Sequence, residues 1–394
     1  MTSANDNANT PTASSGQHHI LCIVGARPNF MKIAPIMAAF AARGDQVKAT
    51  LLHTGQHYDV AMNHQYFEAL GIPSPDINLE IGSGSHAVQT AAVMQHFEPA
   101  LDAAQASAVL VVGDVNSTLA CALVATKKGI PVIHVEAGLR SYDRAMPEEI
   151  NRILTDQISD ILFTTEASAL GNLTREGIDA SRVRFVGNVM IDTLRLNLPR
   201  AIALPQILAD QGRSDFRHDA GYAVLTLHRP SNVDDPAVLR SLLETVRQIS
   251  ERLPVVFPLH PRTRGMIEKF GLSELIDLPQ ILLLPPMGYL EMLGLMKNAR
   301  LVLTDSGGIQ EETTALGVPC VTLRNNTERP ITVEQGTNTI AGQDPATILR
   351  LFDEVMNSGG KAGRVPEFWD GHAADRIAEQ LCEWLDQRNA ASGD

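Results

Sequence analysis

The chain has 394 residues, 44% hydrophobic and 20% charged, which is a globular composition with room for two separate cores. A formal net charge of -13 argues against nucleic acid or an anionic membrane as the main partner. The four cysteines stand far apart without a CxxC pair, which predicts neither a zinc ribbon nor a disulfide framework and favours a cytoplasmic protein.

Residues 1–18 are rich in Ser, Thr, Asn and Ala and have neither a basic start nor an apolar centre. This composition predicts a disordered tail and not a signal peptide. No apolar run approaches the roughly 20 residues that a membrane-spanning helix needs. The sequence therefore predicts a protein without a membrane partner.

An alternation of short apolar strands and amphipathic helices begins at residue 19 and predicts a doubly wound α/β domain over residues 19–193. Its first helix carries Phe30, Ile33 and Met37 at helical spacing. The predicted strands of this domain cover residues 20–24, 47–53, 108–112, 131–135, 161–164 and 183–186.

The alternation restarts after a polar stretch at residues 209–220 and predicts a second Rossmann-like domain over residues 194–370. A final helix within residues 371–394 is predicted to pack back on the first domain. Because doubly wound sheets bind ligands at the carboxyl ends of their strands, we expect a site in a cleft between the two facing domains. The predicted strands of the second domain cover residues 222–227, 255–259, 281–284, 301–304 and 318–323.

A glycine turn follows the predicted strand 301–304 and is the strongest local motif for a ligand. The turn is the Ser-Gly-Gly run at 306–308, and a helix is predicted to begin at Ile309. Such a turn leaves the first helical amides unpaired, and glycines let phosphate oxygens approach them closely. Glu312, one turn later, can accept hydrogen bonds from a sugar diol. The alternative is an ordinary turn, capped by its aspartate or serine.

Three carboxylates, Asp114, Glu136 and Glu148, stand at strand ends or at a helix start of the first domain. Each alone could be a helix cap, and Glu148 suits the dipole of its helix by ~0.3–1 kcal/mol. Three of them converging on one cleft favour acid–base chemistry instead. His228 ends a predicted strand on the opposite wall, where it is either functional or an ordinary hydrogen-bonded residue.

Two cations, Arg27 and Lys32, flank the first strand-to-helix turn. They could bind a diphosphate held by the opposite domain, or they could be two solvated charges. GSGSHA at residues 82–87 matches a dinucleotide fingerprint, but it does not follow the first strand of the domain. His53 and His57 are not four residues apart on one helix, so they do not form a typical metal site. We therefore predict neither a cofactor nor a metal.

A set of ordered motifs resembles the non-hydrolysing UDP-N-acetylglucosamine 2-epimerase family. The motifs run in family order over nearly the whole stretch from residue 20 to 342, which makes the resemblance far more specific than any single turn. They are GARPNFMKIAP, HTGQHYD, GDVNSTLA, HVEAGLRS, MPEEINRILTDQ, GNVMIDTL, LHRP, HPRTR, LTDSGGIQEE and NTERP.

The resemblance implies a glycosyltransferase-B-type fold and reversible conversion of UDP-N-acetylglucosamine (UDP-GlcNAc) to UDP-N-acetylmannosamine without metal or NAD. It also implies a cytoplasmic homodimer. It places Asp114, Glu136, Glu148 and His228 at the catalytic centre. The residues that it assigns to the UDP-sugar are Arg27, Lys32, Arg152, Ser306, Gly307, Gly308 and Glu312.

The chain departs from the family at two positions: Ser231 and Ile331 stand where family members often carry glutamate. Some bacterial members bind a second UDP-GlcNAc as an activator. Gln56 and His57 match part of that allosteric site, although its arginine cannot be placed in this sequence.

The chemistry of the substrate indicates the reaction route. Carbon 2 of the sugar is not next to a carbonyl, so its proton can leave only if UDP leaves the anomeric carbon, which gives 2-acetamidoglucal. Re-addition of UDP with a proton on the opposite face then inverts carbon 2. The alternatives are a UDP-2,3-diacetamido-2,3-dideoxyuronate epimerase, a UDP-sugar glycosyltransferase and a UDP-sugar-binding regulator that does not turn over.

Overall fold

The computed structural model describes residues 17–55 and 71–392, with Arg27 and Ser392 described by their backbone alone. Within these residues the strands form two parallel sheets. The strands are β1 (His18–Val24), β2 (Val47–His53), β3 (Ile77–Asn78), β4 (Ala108–Val112), β5 (Val132–Ala137), β6 (Ile161–Thr164), β7 (Val183–Phe185), β8 (Ala223–Thr226), β9 (Val255–Pro258), β10 (Ile281–Leu284), β11 (Leu301–Thr304), β12 (Cys320–Thr322) and β13 (Asn338–Ile340).

Helices connect these strands and cover both sheets. They are α1 (Arg27–Ala41), α2 (His86–Ala104), α3 (Asn116–Lys127), α4 (Pro147–Ile158), α5 (Ser168–Arg175), α6 (Val189–Asn197), α7 (Leu204–Asp210), α8 (Pro230–Val233), α9 (Pro236–Ser250), α10 (Pro261–Lys269), α11 (Tyr289–Lys297), α12 (Gly307–Leu316), α13 (Pro330–Glu334), α14 (Pro345–Ser358) and α15 (Ala373–Ser392). Short 3-10 turns lie at Ala180–Arg182, Leu198–Arg200 and Ser273–Leu275.

The order of the strands creates one crevice in each sheet. The first sheet has the order β3-β2-β1-β4-β5-β6-β7, and the second has the order β10-β9-β8-β11-β12-β13. The winding of the chain therefore reverses between β1 and β4 and again between β8 and β11, which leaves a crevice beyond the carboxyl ends of those strands. Asp114 follows β4, whereas His228 and Ser306 follow β8 and β11.

The apolar composition of the strands explains the layered packing. β4, with the sequence AVLVV, is buried along its whole length, as expected for a parallel strand covered by helices on both faces. The two parallel sheets with alternating helices confirm the predicted α/β class with two Rossmann-like units.

Two local predictions were wrong, and two short strands were missed. β3 and β13 were not predicted, because edge strands of two and three residues leave no apolar run to recognise. The helix predicted from Ile309 begins at Gly307, since both glycines adopt helical geometry behind Ser306 at the N-cap. The predicted tail, residues 1–18, overlaps β1, where His18 is buried and pairs with Val47; residues 1–16 lie outside the described part of the chain.

The last helix shares a core with the first domain. Ile377 and Leu381 of α15 are fully buried in the same cluster as Ile33 and Phe40 of α1. The domain limits predicted at 193/194 and 370/371 stay a prediction. Across residues 17–55 and 71–392, no helix combines the length and apolar character that a bilayer crossing requires.

Candidate active site

A cavity of about 600 Å³ opens between the carboxyl ends of the two sheets. This volume lies within the ~300–1,000 Å³ that is typical of small-molecule sites. Both halves of the molecule supply its walls, so the two crevices form one site. Eight residues predicted from the sequence line it, namely Lys32, Asp114, Glu148, Arg152, His228, Ser306, Gly307 and Gly308.

The glycine turn presents unpaired backbone donors to this cavity. Ser306 is the N-cap residue of α12, and no side chain caps that helix. The first amides of α12 therefore keep their hydrogen-bonding capacity for a ligand, with the positive end of the helix dipole behind them. A Cβ atom on Gly307 would lie 2.4 Å from Oε1 of Glu328, whereas one on Gly308 would meet only Met190 Cε at 3.7 Å. A side chain at position 307 would thus collide with Glu328, whereas position 308 has room for one.

We expect Gly308→Val to raise the Kd for UDP by about 10-fold or more, because the branched side chain would block at least one charge-assisted amide contact of roughly 1.5–3 kcal/mol. Calorimetric titration with UDP measures the change. Gly171→Val in α5 is the matched control, since a Cβ atom at Gly171 meets nothing within 4 Å and Gly171 lies outside the cavity. Equal UDP affinity in both variants would contradict the assignment of the diphosphate to this turn.

Glu136 occupies a strained position behind the cavity wall. It is the penultimate residue of β5 and has a φ of +75°, a conformation that is uncommon outside glycine and often found at functional sites. Its Oε1 atom accepts hydrogen bonds from Lys32 Nζ and Arg329 Nη2, each at 2.7 Å. Burial alone would raise the pKa of Glu136, but Arg329 and Lys32 outweigh it and hold that pKa below its usual range. Glu136 is therefore ionised and is a poor proton acceptor.

Arg329 connects the two halves of the molecule at this point. Besides Glu136 it approaches Glu311, with Nε 3.1 Å from Oε1 but without hydrogen-bond geometry. Asn188 donates to the same Oε1 atom at 2.8 Å. These contacts join the end of the first sheet to α12 beside the cavity.

Asp114 is held by Arg152. Arg152 Nη2 lies 2.5 Å from Asp114 Oδ2, and its Nη1 lies 2.5 Å from Glu149 Oε2. Glu149 also accepts from the backbone amides of Ser141 and Tyr142, at 3.0 and 2.9 Å. Arg152 was predicted to contact the substrate. It lines the cavity, but its guanidinium is already shared by two carboxylates, which suits the positioning of Asp114.

Glu148 is the carboxylate with the most freedom. It lies in the first turn of α4, is half-buried and lines the cavity. Its side chain has no hydrogen bond or ion pair with any residue in the described ranges. Of the three predicted acid–base groups, Glu148 is thus the one that no described side chain engages.

His228 lies on the wall opposite Glu148. Its Nδ1 atom is 2.7 Å from Asp305 Oδ1, and its side chain is 37% exposed, which leaves the other ring nitrogen accessible. The ring of His260 lies beside it, with centroids 5.7 Å apart. This geometry places a histidine in the cavity, as the sequence predicted.

The prediction placed Glu312 of α12 at the ligand, but in the structure its neighbour Glu311 occupies the cavity wall. Glu311 lines the cavity, whereas Glu312 does not and lies buried in the interior. Burial raises the pKa of Glu312 to about 7. Burial also raises the pKa of Glu311, against the opposing effect of Arg329. The role of Glu312 in binding a ribose diol stays a prediction.

Part of the cavity lining was not predicted from the sequence. The NTERP and HPRTR motifs were recognised, but no role was assigned to their charged residues, and Glu312 was chosen over its neighbour. Arg27, by its side chain, and Gln56 and His57 entirely, lie outside the described part of the structure. The missed charged lining residues are Arg229, Arg262, Glu311, Glu328 and Arg329.

Comparison with known proteins gives consistent matches. The model of the UDP-N-acetylglucosamine 2-epimerase family matches residues 40–382. A UDP-N-acetylglucosamine 2-epimerase of Methanococcus maripaludis is 42% identical over 85% of this chain and 91% of its own length. A UDP-2,3-diacetamido-2,3-dideoxy-D-glucuronate 2-epimerase of Pseudomonas aeruginosa is also 42% identical, over 92% and 99%.

A solved structure agrees with these matches. The UDP-GlcNAc 2-epimerase of Methanocaldococcus jannaschii, in complex with UDP-GlcNAc and UDP, superposes with a TM-score of 0.84 at 41% identity and covers 93% of this chain and 99% of its own. Matching motifs, a matching fold and matches over most of the chain lead to one conclusion. The chain belongs to the UDP-N-acetylglucosamine 2-epimerase family.

Proposed function

We propose that this protein interconverts UDP-GlcNAc and UDP-N-acetylmannosamine by eliminating UDP and adding it back. The observation that carries the proposal is the composition of the cavity. An uncapped, glycine-containing helix start lies on one wall, and the carboxylates Asp114 and Glu148 lie on the other. The first feature suits a diphosphate leaving group, and the second suits proton transfer at the sugar.

The reaction balances without an added reactant. A base takes the proton from carbon 2 while the bond between the anomeric carbon and the UDP oxygen breaks, and the electron pair becomes the double bond of 2-acetamidoglucal. The amides of Gly307 and Gly308 stabilise the charge that grows on the departing diphosphate. Protonation of carbon 2 on the opposite face, with return of UDP, completes the inversion.

We assign the proton transfers to Glu148 and Asp114. Inversion needs one group on each face of the sugar, and both of these carboxylates line the cavity. Glu136 suits a different role, because Lys32 and Arg329 neutralise it and its carboxylate lies behind the wall. It holds Lys32 at the cavity for the anionic ligand. Contacts of Arg329 with Glu136 of the first sheet and with Glu311 of α12 keep the site closed while the glycal exists.

The test is conversion of UDP-GlcNAc in heavy water without any acceptor, followed by proton NMR. We expect the anomeric signal of the mannosamine product, deuterium at carbon 2 of product and recovered substrate, and small amounts of free UDP and glycal after long incubation. A glycosyltransferase or a non-catalytic regulator would leave carbon 2 unchanged. Product with full protium at carbon 2 would contradict elimination through a solvent-exchanging group.

A second substrate is UDP-2,3-diacetamido-2,3-dideoxyuronate. The supporting observation is that the Pseudomonas aeruginosa enzyme named for it matches this chain as well as the Methanococcus maripaludis enzyme does, at 42% identity each. Measuring kcat/KM for both nucleotide sugars on the same enzyme decides between them. We expect the higher value for UDP-GlcNAc.

We also propose that the protein is a cytoplasmic homodimer. Support for the compartment comes from four cysteines that are all free and buried. Support for a second copy comes from the exposed apolar residues Val88 of α2 and Leu154 of α4, at 64% and 46% exposure. Sedimentation of the purified protein measures the oligomeric state.

A further inference from the structure

The residue just before the glycine turn, Asp305, is a fully buried carboxylate that the proposed reaction does not use. It follows β11 directly and has no exposed surface. The Asp305 side chain does not cap α12 or the glycine turn. All of its hydrogen bonds come from the segment after β8. A buried charge is costly unless several donors satisfy it, so its partners indicate what it is for.

Both carboxylate oxygens of Asp305 have partners. Oδ2 accepts from the backbone amides of His228 and Arg229, each at 2.9 Å, and from Asn232 Nδ2 at 3.1 Å. Oδ1 faces His228 Nδ1 at 2.7 Å and the His228 amide at 3.2 Å. Burial alone would raise the pKa of Asp305, but these hydrogen bonds and the charge of His228 hold it below its usual range.

The contact lacks full hydrogen-bond geometry, but an ionised carboxylate can only accept, so a separation of 2.7 Å favours a hydrogen over a lone pair on His228 Nδ1. The neutral ring then has its lone pair on Nε2, and the partly exposed ring directs that side toward the cavity. The same carboxylate stabilises positive charge on the ring when Nε2 takes a proton. Asp305 also accepts hydrogen bonds from the backbone amides of His228 and Arg229, which fixes the position of the segment after β8. The same carboxylate therefore sets both the orientation and the tautomer of the His228 ring.

We propose that Asp305 is a positioning residue that holds His228 with its Nε2 atom toward the ligand, so that the protonated Nε2 gives its proton to the departing diphosphate and takes it back when UDP adds again. The proposal rests on the proposed function for the identity of the ligand. It goes beyond that function by assigning the histidine's tautomer and direction to a second residue. Asp305 itself touches no ligand atom.

Asp305→Asn is the first test. The amide oxygen can replace Oδ2 toward the backbone amides, and the NH₂ group then faces His228 Nδ1, which must become an acceptor and move the ring hydrogen to Nε2. We expect kcat to fall by about 100-fold or more, with KM and the Kd for UDP changed less than about 3-fold. In the His228→Gln background the same substitution is expected to change kcat by less than about 3-fold, because the two residues act as a unit.

A spectroscopic readout makes the result independent of catalysis. Nitrogen-15 NMR of histidine-labelled protein, with the His228 signals identified by their loss in His228→Gln, is expected to show hydrogen on Nδ1 in the wild type and on Nε2 in Asp305→Asn. Asn232→Ser is the matched control, since it removes a donor from the same carboxylate without touching the ring. It is expected to lower the Tm and to leave the tautomer unchanged and kcat within about 3-fold.

Two outcomes would overturn the proposal. One is a wild-type His228 whose neutral ring carries its hydrogen on Nε2. The other is an Asp305→Asn effect on kcat of equal size with and without His228, which would mean that Asp305 acts through the glycine turn. A wild-type protein that does not epimerise UDP-GlcNAc would defeat the proposed function, whereas the NMR result would still decide the role of Asp305.

Discussion

Glu148→Gln is expected to lower the turnover of UDP-GlcNAc by about 100-fold or more, which is the usual range for loss of a general acid or base. Glu148 lines the cavity and has no cationic partner in residues 17–55 and 71–392, so its carboxylate is available to a proton on the sugar. The amide cannot take that proton. The Kd for UDP should change by less than about 3-fold, because the proposed diphosphate site is the glycine turn on the opposite wall.

The control for this prediction is another glutamate at the start of a helix. Glu291 lies in the first turn of α11, outside the cavity, as Glu148 lies in the first turn of α4. If Glu148 were only a helix-start charge, Glu148→Gln and Glu291→Gln would both cost ~0.3–1 kcal/mol of stability and neither would slow the reaction. Steady-state turnover and deuterium exchange at carbon 2 distinguish the two roles.

Glu136→Gln is expected to cost about 3–5 kcal/mol of unfolding free energy as well as most of the activity, because breaking a buried ion pair leaves a charge without compensation. Lys32 and Arg329 both donate to the same oxygen of Glu136, and all three side chains are at most 8% exposed. Denaturant unfolding at pH 7 measures the loss. The double variant Glu136→Gln/Arg329→Gln should recover part of the lost unfolding free energy, because it removes one of the two cations left without a counter-charge.

The pH dependence of this effect has a defined sign. The pKa of Glu136 is lower in the folded protein than its ordinary value of 4.5, so the ionised carboxylate contributes stability above that value and loses its contribution as the pH falls through the lowered pKa. The gap between wild type and Glu136→Gln should therefore be full at pH 7 and shrink below about pH 4. A gap that is constant from pH 7 to pH 3 would mean that the ionised form of Glu136 stabilises nothing.

Local sequence patterns were sufficient for most of the fold. Buried parallel strands need continuous apolar runs, so runs such as 108–112 and 301–304 identified their strands to the residue. The same reasoning failed for β3 and β13, because edge strands of two and three residues carry too little apolar surface to show a pattern. The topological rule that ligands bind at strand ends also followed from the sequence alone and led to Asp114, His228 and Ser306.

The role of each polar residue could not be derived from its position in the sequence. Asp114, Glu136 and Glu148 look alike in sequence, yet among the described side chains one is paired with Arg152, one is held by two cations and one has no partner. Their proton affinity depends on charges that lie many residues away in the sequence, since a neighbouring cation or burial shifts a pKa only through space.

The sequence by itself determined the α/β class, the two sheets and the family, because apolar runs, glycine turns and ordered motifs are local properties. Only the tertiary structure decided that Glu311 and not Glu312 lines the cavity, that Arg329 joins the two sheets through Glu136, and that Asp305 binds His228. Each of these depends on the direction of a side chain across an interface between distant segments. Such contacts exist only after the two sheets have packed against each other.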